Sequence, residues 1–239
     1  AWEKLRELER EFPNLLKHVT WKETQRNYLK EMEVNLDSET ALLQLDYGTV
    51  TDSAGAKVGM WCVTVLQKVG NRIEASYIDI LFDQKGRNGK GAKKDGQTGM
   101  FCLDELFSAD RSPDECGENS LFAHKYPGIN KLIFSGDTGN GYRAYEMLEY
   151  LSSFYEKFGI SVKLIPLAPG HAYNRTDARI AHYNTFYTNL KRRIRIFGAE
   201  NMASAVYLAA KDPKNSKKKF LTSAMVLFRV IEEDKDRGE

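Results

Sequence analysis

Three aspartates lie at the ends of predicted secondary-structure elements, where carboxylates are well placed to bind a metal ion. Asp46 follows the apolar run 41–45 of one predicted strand, and Asp137 ends another. Asp177 lies near the start of a helix. Clustered carboxylates repel one another unless a cation is present, and Mg²⁺ prefers oxygen ligands. These residues therefore permit two-metal chemistry on a phosphodiester, although each aspartate can equally be a turn former or a helix cap.

The order of predicted elements is what would bring these aspartates together. Three strand-like segments with short connections (40–50, 57–69 and 72–83) indicate an antiparallel meander. Helix 100–109, strand 131–135, helix 142–158, strand 161–169, a helix starting near 177 and helix 199–211 follow. We therefore predict an α/β fold of the ribonuclease H-like type, with a mixed five-stranded sheet and helices on both faces. Its first and fourth strands would be neighbours, so Asp46 and Asp137 would lie side by side.

The chain divides into three predicted parts. Residues 1–38 form an N-terminal helical extension, with helices at 2–12 and 21–33 separated by Pro13. Residues 39–198 form the ribonuclease H-like catalytic core, and residues 199–239 a C-terminal helix and basic tail. The Gly- and Lys-rich segment 84–99 has no apolar periodicity and is predicted to be a loop.

The glycines around Asp137 also permit a second interpretation. Gly139, Gly141 and Ala144 match G-x-G-x-x-A between a strand and a helix, which is typical of dinucleotide sites. Such a site also needs an acidic residue at the end of the next strand to hold the ribose. That strand ends Leu167-Ala168-Pro169-Gly170, so no nucleotide cofactor is expected.

Charge is distributed unevenly along a chain whose net charge is only +2. Between Tyr187 and Phe220, nine Lys or Arg residues face two acidic ones. This asymmetry suggests a polyanionic partner, although a solvated basic surface is the simpler reading. The predicted nucleic-acid contacts are Lys191, Arg192, Arg193, Arg195, Arg175, Lys90, Lys93 and Lys94. Arg179, which with Arg175 flanks Asp177, could pair with Asp177 or with a DNA backbone. His171, six residues before Asp177, could bind phosphate or transfer protons.

The cysteines and the hydropathy pattern bear on the cellular compartment of the protein. Cys62, Cys102 and Cys116 are widely spaced and form no zinc motif, which favours a reducing, intracellular compartment. No apolar stretch approaches the roughly 20 residues of a membrane span, so no membrane association is expected. The first residues do not resemble a signal peptide, and the chain starts without Met, as a piece of a longer protein would.

Three segments in order resemble eukaryotic transposon-derived proteins with a ribonuclease H-like DDE/DDD transposase core. They are LQLDYGTV around Asp46, FSGDTGNGYRAYEM around Asp137 and APGHAYNRTDARIAH, which contains His171 and Asp177. The resemblance covers roughly residues 20 to 210. The chain departs from the family pattern in having Gly136-Asp137 where the family tends to have Asp-Gly, and Tyr173-Asn174 where it has a lysine-rich step.

The resemblance implies a DNA-acting polynucleotidyl transferase or nuclease. Asp46, Asp137 and Asp177 would be the metal-binding catalytic carboxylates, His171 would join them, and Mg²⁺ (with Mn²⁺ as a substitute) would be the cofactor. It further implies DNA as partner, nuclear localisation, and a homo-oligomer or larger assembly. The alternative is a domesticated, catalytically silent descendant that binds nucleic acid or acts as a scaffold.

Overall fold

The sheet and helices are taken from a computed structural model that describes residues 2–85, 96–111, 114–137, 145–167, 175–215 and 224–232. The strands are β1 (Thr40–Thr51), β2 (Lys57–Val69), β3 (Arg72–Lys85), β4 (Lys131–Asp137), β5 (Ser161–Leu167) and β6 (Ala224–Glu232). The helices are α1 (Trp2–Val34), α2 (Gly96–Phe107), α3 (Leu121–Lys125), α4 (Tyr145–Ser152), α5 (Phe154–Phe158), α6 (Arg175–Lys191) and α7 (Gly198–Lys211).

All six strands belong to one mixed sheet with the order β5-β4-β1-β2-β3-β6. β1, β2 and β3 form the antiparallel meander that their short connections predict. β4 pairs parallel to β1, and β5 pairs parallel to β4. The predicted α/β class and mixed sheet are therefore confirmed, and the first and fourth strands are neighbours as expected.

Alternating side chains of β1 enter two separate cores, because successive residues of a strand point to opposite faces. Leu43, Leu45 and Tyr47 pack with α2, α3, α4 and α5 on one face. On the other face, Val50 packs with α6 and α7, together with Met60 and Cys62 of β2. Helices cover both faces, so β1 is buried along most of its length.

The sixth strand is a feature that the sequence did not reveal. β6 pairs parallel to β3 over Tyr77 to Lys85 and extends the sheet beyond the meander. Residues 199–239, predicted as a helix and a basic tail, thus contribute α7 and a strand. The five predicted strands remain contiguous in the sheet, and β6 adds one position at the β3 edge.

The N-terminal segment forms one helix rather than two, so the predicted break at Pro13 is wrong. Proline lacks one backbone donor, but its own φ suits a helix, and α1 continues through it. Near its C-terminal end, Glu33 pairs with Arg175 at 2.6 Å and the Tyr28 hydroxyl accepts a hydrogen bond from Lys163 at 3.1 Å. Across the described ranges no helix, this one included, combines the length and apolar character needed to cross a membrane.

The helix predicted over 142–158 is also different, because it divides into α4 and α5 at Ser153. The Ser152 hydroxyl donates to the Glu149 carbonyl, and the Ser153 hydroxyl donates to the Tyr150 carbonyl. Serine side chains that bond nearby carbonyls compete with the helical backbone pattern. The pair of serines therefore marks the break, and Gly159 then ends α5 in a left-handed conformation.

Two carboxylates from different strands cap the start of α7. Both oxygens of Asp83, near the end of β3, accept the Ala199 amide at 3.0 Å. Asp52, after β1, accepts the Gly198 amide at 3.2 Å. Carboxylates at this position satisfy otherwise unpaired amides and oppose the positive end of the helix dipole. The cap thus fixes α7 to the ends of β1 and β3.

Gly198 provides a test of this cap. Its φ of 69° strains any side chain, and a Cβ there would meet Asp83 Oδ2 at 2.9 Å. We expect Gly198→Ala to lower the free energy of unfolding by roughly 2 kcal/mol, from the left-handed strain and the displaced cap together. Gly117→Ala is the matched control, since Gly117 has a φ of 60° and open space around it. Urea unfolding that gives equal losses for both variants would contradict the role of the Asp83 contact.

Candidate functional site

A row of three paired residues crosses the centre of the sheet on the α6 side. Asp46 of β1 is paired with Cys62 of β2, and Cys62 is paired with Asp79 of β3. Directly paired residues of antiparallel strands point to the same face, so the two carboxylates flank the cysteine. Asp79 is fully buried and Asp46 is half-buried.

The first turn of α6 is bonded to β1 beside this row. The Thr176 hydroxyl donates to the Gln44 carbonyl at 3.0 Å and lies 3.0 Å from the Thr64 hydroxyl. Gln44 is two residues before Asp46, and Thr176 directly precedes Asp177. The contact therefore holds the start of α6, and with it the backbone of Asp177, against β1 close to Asp46.

A glycine allows α6 to run directly over β1. A Cβ at Gly48 would meet Ile180 Cγ2 at 2.8 Å and Met60 Cε at 2.9 Å. Any larger residue there would push the helix away from the strand. The glycine of the LQLDYGTV segment is thus explained by the close approach of α6, two residues beyond Asp46.

Arg179 and Asp79 form a buried ion pair beneath α6. The Arg179 side chain is 2% exposed and that of Asp79 is 0% exposed. Arg179 Nε lies 2.8 and 2.7 Å from the two Asp79 oxygens, and an Nη group also donates to Asp79. The Tyr183 hydroxyl donates to Asp79 at 2.7 Å. The guanidinium lies 4.4 Å from the centre of the Tyr77 ring, so hydrogen bonds and aromatic contacts both hold it.

The electrostatics of this cluster keep it in one ionisation state. Burial lowers the pKa of the Arg179 guanidinium, but attraction to Asp79 and the hydrogen bonds between them raise that pKa by more, so the net shift is upward. Burial, reinforced by the negative charge of Asp79, raises the pKa of the Tyr183 hydroxyl and of the Cys62 thiol well above their usual values. The cysteine is therefore a protonated core residue rather than a nucleophile.

The register between β1 and β4 determines where the backbone of Asp137 lies relative to Asp46. Leu45 of β1 is paired with Gly136 of β4, and Asp46 and Asp137 are the next residues of the two strands. The backbone thus brings these two positions to the same level of the sheet. The side chain of Asp137 lies outside the described part of the structure, so its assignment as a ligand stays a prediction.

The other predicted site residues fall into three groups. His171, Lys90, Lys93 and Lys94 lie outside the described residues. Arg175 pairs with Glu33 of α1, and Lys191 donates to the Thr51 carbonyl. Arg192, Arg193 and Arg195 are exposed in the turn between α6 and α7. The backbone positions of Asp46 and Asp137 thus lie on neighbouring strands, the start of α6 lies against β1, and three exposed arginines lie at the far end of α6.

Oxygen atoms at this region suit a hard cation, although no complete ligand set is visible. Within the described residues, no three His, Cys, Asp or Glu side chains are arranged to hold a metal ion. Gln44 points to the same face as Asp46, and its side chain is 6% exposed. Its Oε1 atom is buried without a hydrogen-bond partner among the described atoms. Carboxylate and amide oxygens are ligands that Mg²⁺ accepts, so the donor chemistry fits.

Sequence reasoning missed Asp79, Gln44 and Thr176, and it gave Arg179 a different role. Arg179 was expected to pair with Asp177 or with a DNA backbone, whereas it is buried against Asp79. A signal was present in the strand RIEASYIDILFD, because a charge in the middle of an apolar strand requires a buried partner. The partner itself lies 100 residues away, and no local pattern identifies it.

No protein-family model matches the chain, and no curated protein matches it significantly in sequence.

The buried ion pair generates the first prediction for this site. Arg179→Met leaves the Asp79 carboxylate buried without its cation, and we expect a loss of about 3–5 kcal/mol in the free energy of unfolding. The double variant Asp79→Leu, Arg179→Met should recover most of that loss, because both charges are gone. Arg175→Met, which removes only the exposed pair with Glu33, should cost less than about 1 kcal/mol. Chemical denaturation measures all three, and a single Arg179→Met variant as stable as the parent would refute the assignment.

Cys62 gives a second prediction. Because its thiol is buried and its pKa is raised, we expect it to react with a disulfide reagent at pH 8 only when α6 opens, at a rate far below that of a free thiol. Ser152→Cys supplies an exposed cysteine for comparison, and unfolding in guanidinium should make every cysteine reactive. Mass spectrometry of labelled peptides locates the modification. Rapid labelling of Cys62 in the folded chain would mean that α6 does not cover it in solution.

Proposed function

We propose that this chain is a ribonuclease H-like polynucleotidyl transferase or nuclease that cuts or joins DNA. The observation that carries the proposal is the pairing of β1 with β4. It brings the positions of Asp46 and Asp137 to one level of the sheet, while α6 begins against the same strand. These contacts support a shared site for three aspartates that are far apart in sequence.

The strand order adds support. Five strands in the order β5-β4-β1-β2-β3, with an antiparallel meander and with β4 and β5 parallel to β1, make up the sheet that the resemblance implies. The pattern is specific because β4 could also have paired at the other edge of the meander, where β6 lies instead. In that arrangement Asp46 and Asp137 would be separated by two strands.

Mg²⁺ is the cofactor that these residues would hold, through Asp46, Asp137 and Asp177, with Gln44 Oε1 as a further acceptor. When bound, a pair of such cations would activate water or a 3′-hydroxyl and stabilise the leaving oxygen of a phosphodiester. Other residues of the chain would hold these ligands in position. Thr176 fixes the start of α6, and with it Asp177, on β1, and Arg179 fixes α6 on β3.

Metal binding can be tested before any DNA is added. In millimolar Mn²⁺ the wild-type chain should gain stability, by about 2.7 kcal/mol where the metal is at 100 times its Kd. Asp46→Asn, Asp137→Asn and Asp177→Asn should each remove this gain. Without metal, each variant should be at least as stable as the parent, because one member of a repelling group has been neutralised. Thermal melts with and without Mn²⁺ measure both effects.

The controls separate metal binding from catalysis. Asp110→Asn changes an exposed carboxylate in another part of the molecule and should leave the Mn²⁺ gain intact. Cutting of a labelled DNA duplex in Mg²⁺ should fall at least about 100-fold in the three site variants. A chain that binds DNA but shows no Mn²⁺ gain and no cutting would instead be a catalytically silent DNA-binding or scaffolding subunit.

A further inference from the structure

We propose that the exposed side of α6, together with the arginine turn that follows it, is a binding surface for the backbone of duplex DNA. This surface would lead the duplex to the carboxylates at the start of the same helix. The inference rests on the proposed function only for the catalytic role of the carboxylates at the start of α6. The binding surface is separate from those carboxylates, and DNA binding to it needs no metal.

The surface is a straight stripe on α6. Asp177, Ala181, Asn184, Thr188 and Arg192 follow one another at intervals of four, three, four and four residues, which is the spacing of one helix face. Ala181, Asn184, Thr188 and Arg192 are exposed, and the opposite side of the helix carries its buried residues. The stripe therefore faces solvent from the candidate site to the arginine turn.

The charge of the stripe is unusual for an exposed helix. From Ala178 to Ala199 the chain has 22 residues and not one Asp or Glu. Ordinary exposed helices carry charges of both signs, as α1 does with its many Glu, Lys and Arg residues. Beyond Asp177 this stretch carries no carboxylate that would repel phosphates, and the exposed Arg192, Arg193 and Arg195 attract them.

Uncharged donors occupy the middle of the stripe. The exposed Asn184, Thr188 and Asn189 side chains carry N–H or O–H groups that can donate to phosphate oxygens. Thr185 is less suited, because its hydroxyl donates to the Ala181 carbonyl at 3.0 Å. Such donors position a backbone without reading its sequence, so the surface would be non-specific.

The length of the stripe matches a piece of duplex. Fifteen residues separate Asp177 from Arg192, which corresponds to about 22 Å along a helix at 1.5 Å per residue. That length spans roughly six base pairs at 3.4 Å each. A duplex whose scissile phosphate lies at the carboxylates would thus meet the arginine turn about half a helical turn further on.

The arginine turn is held rigidly enough to serve as a contact. The Ile196 amide donates to the Ser53 hydroxyl at 2.9 Å, and the Ser53 amide donates to the Ile196 carbonyl at 2.8 Å. Lys191 donates to the carbonyl of Thr51, the last residue of β1. The arginines therefore project from a segment fixed at one end to β1 and at the other to the β1–β2 connection, and little backbone ordering would be needed on binding.

The experiment measures binding of a fluorescent 20-base-pair duplex to the whole chain in EDTA, over a series of salt concentrations. Asn184→Glu and Thr188→Glu place a carboxylate on the stripe, and each should weaken binding about 5- to 10-fold at low salt. Ser152→Glu introduces the same charge at the end of α4, on the helix layer of the opposite sheet face, and should leave binding unchanged. Thermal melts establish that all three variants are folded.

The arginines are tested by the salt dependence. Replacing Arg192, Arg193 and Arg195 by Gln should reduce the slope of log K against log salt by about 0.9 for each residue that contacts a phosphate.

Equal slopes for parent and variant, or equal weakening of binding by Ser152→Glu and Thr188→Glu, would overturn the proposed surface. Tighter binding of single-stranded DNA or of RNA than of duplex DNA would overturn the assigned ligand. Because EDTA prevents metal-dependent cutting, duplex binding that follows these expectations upholds the surface even where the nuclease proposal fails.

Discussion

The buried pair between Arg179 and Asp79 is the interaction on which the rest of this arrangement depends. Two charges removed from water gain little net stability, and well-packed apolar residues often do better in their place. The pair instead fixes the position of Arg179, because two nitrogens of its guanidinium donate to Asp79 and hold the side chain in one place over β3. The rotation and height of α6 on the sheet follow from that position, and so does the direction in which Asp177 and the exposed stripe point.

The polar character of the α6 side of the sheet follows from the same constraint. An apolar interface allows a helix to slide or rotate at small cost, since the hydrophobic effect has no direction. Here the apolar cluster beneath α6 is supplemented by polar contacts. The helix is held by Thr176 on β1, by Arg179 on β3, and by the Tyr187 hydroxyl, which donates to the Met202 carbonyl of α7 at 2.9 Å. These directional contacts fix the position of a helix that the apolar cluster stabilises.

The sequence predicts the parts of this fold that depend on local patterns. The meander was recognisable from its β-branched and aromatic runs and from Gly70-Asn71, and its strands begin where they were expected. Pro13 was misleading because one missing hydrogen bond does not end a long helix. β6 was missed because it pairs with a strand far away in the chain, and Arg179 was misassigned for the same reason. Of the candidate site, the strand neighbourhood of Asp46 and Asp137 followed from topology, whereas the roles of His171 and of the Asp137 side chain stay predictions.

The pairing of β6 with β3 has a consequence for how the chain reaches its folded state. Tyr77 pairs with Ala224, 147 residues later, so this edge of the meander stays open during synthesis until the β6 segment has emerged from the ribosome. Contacts so distant in sequence form slowly, and an open edge strand offers its backbone to any other strand nearby. β3 brings to that edge the buried Ile78, Ile80 and Leu81 side chains. Before β6 is synthesised, the open edge of β3 can therefore pair with the same edge of a second nascent copy, which is a route to aggregation.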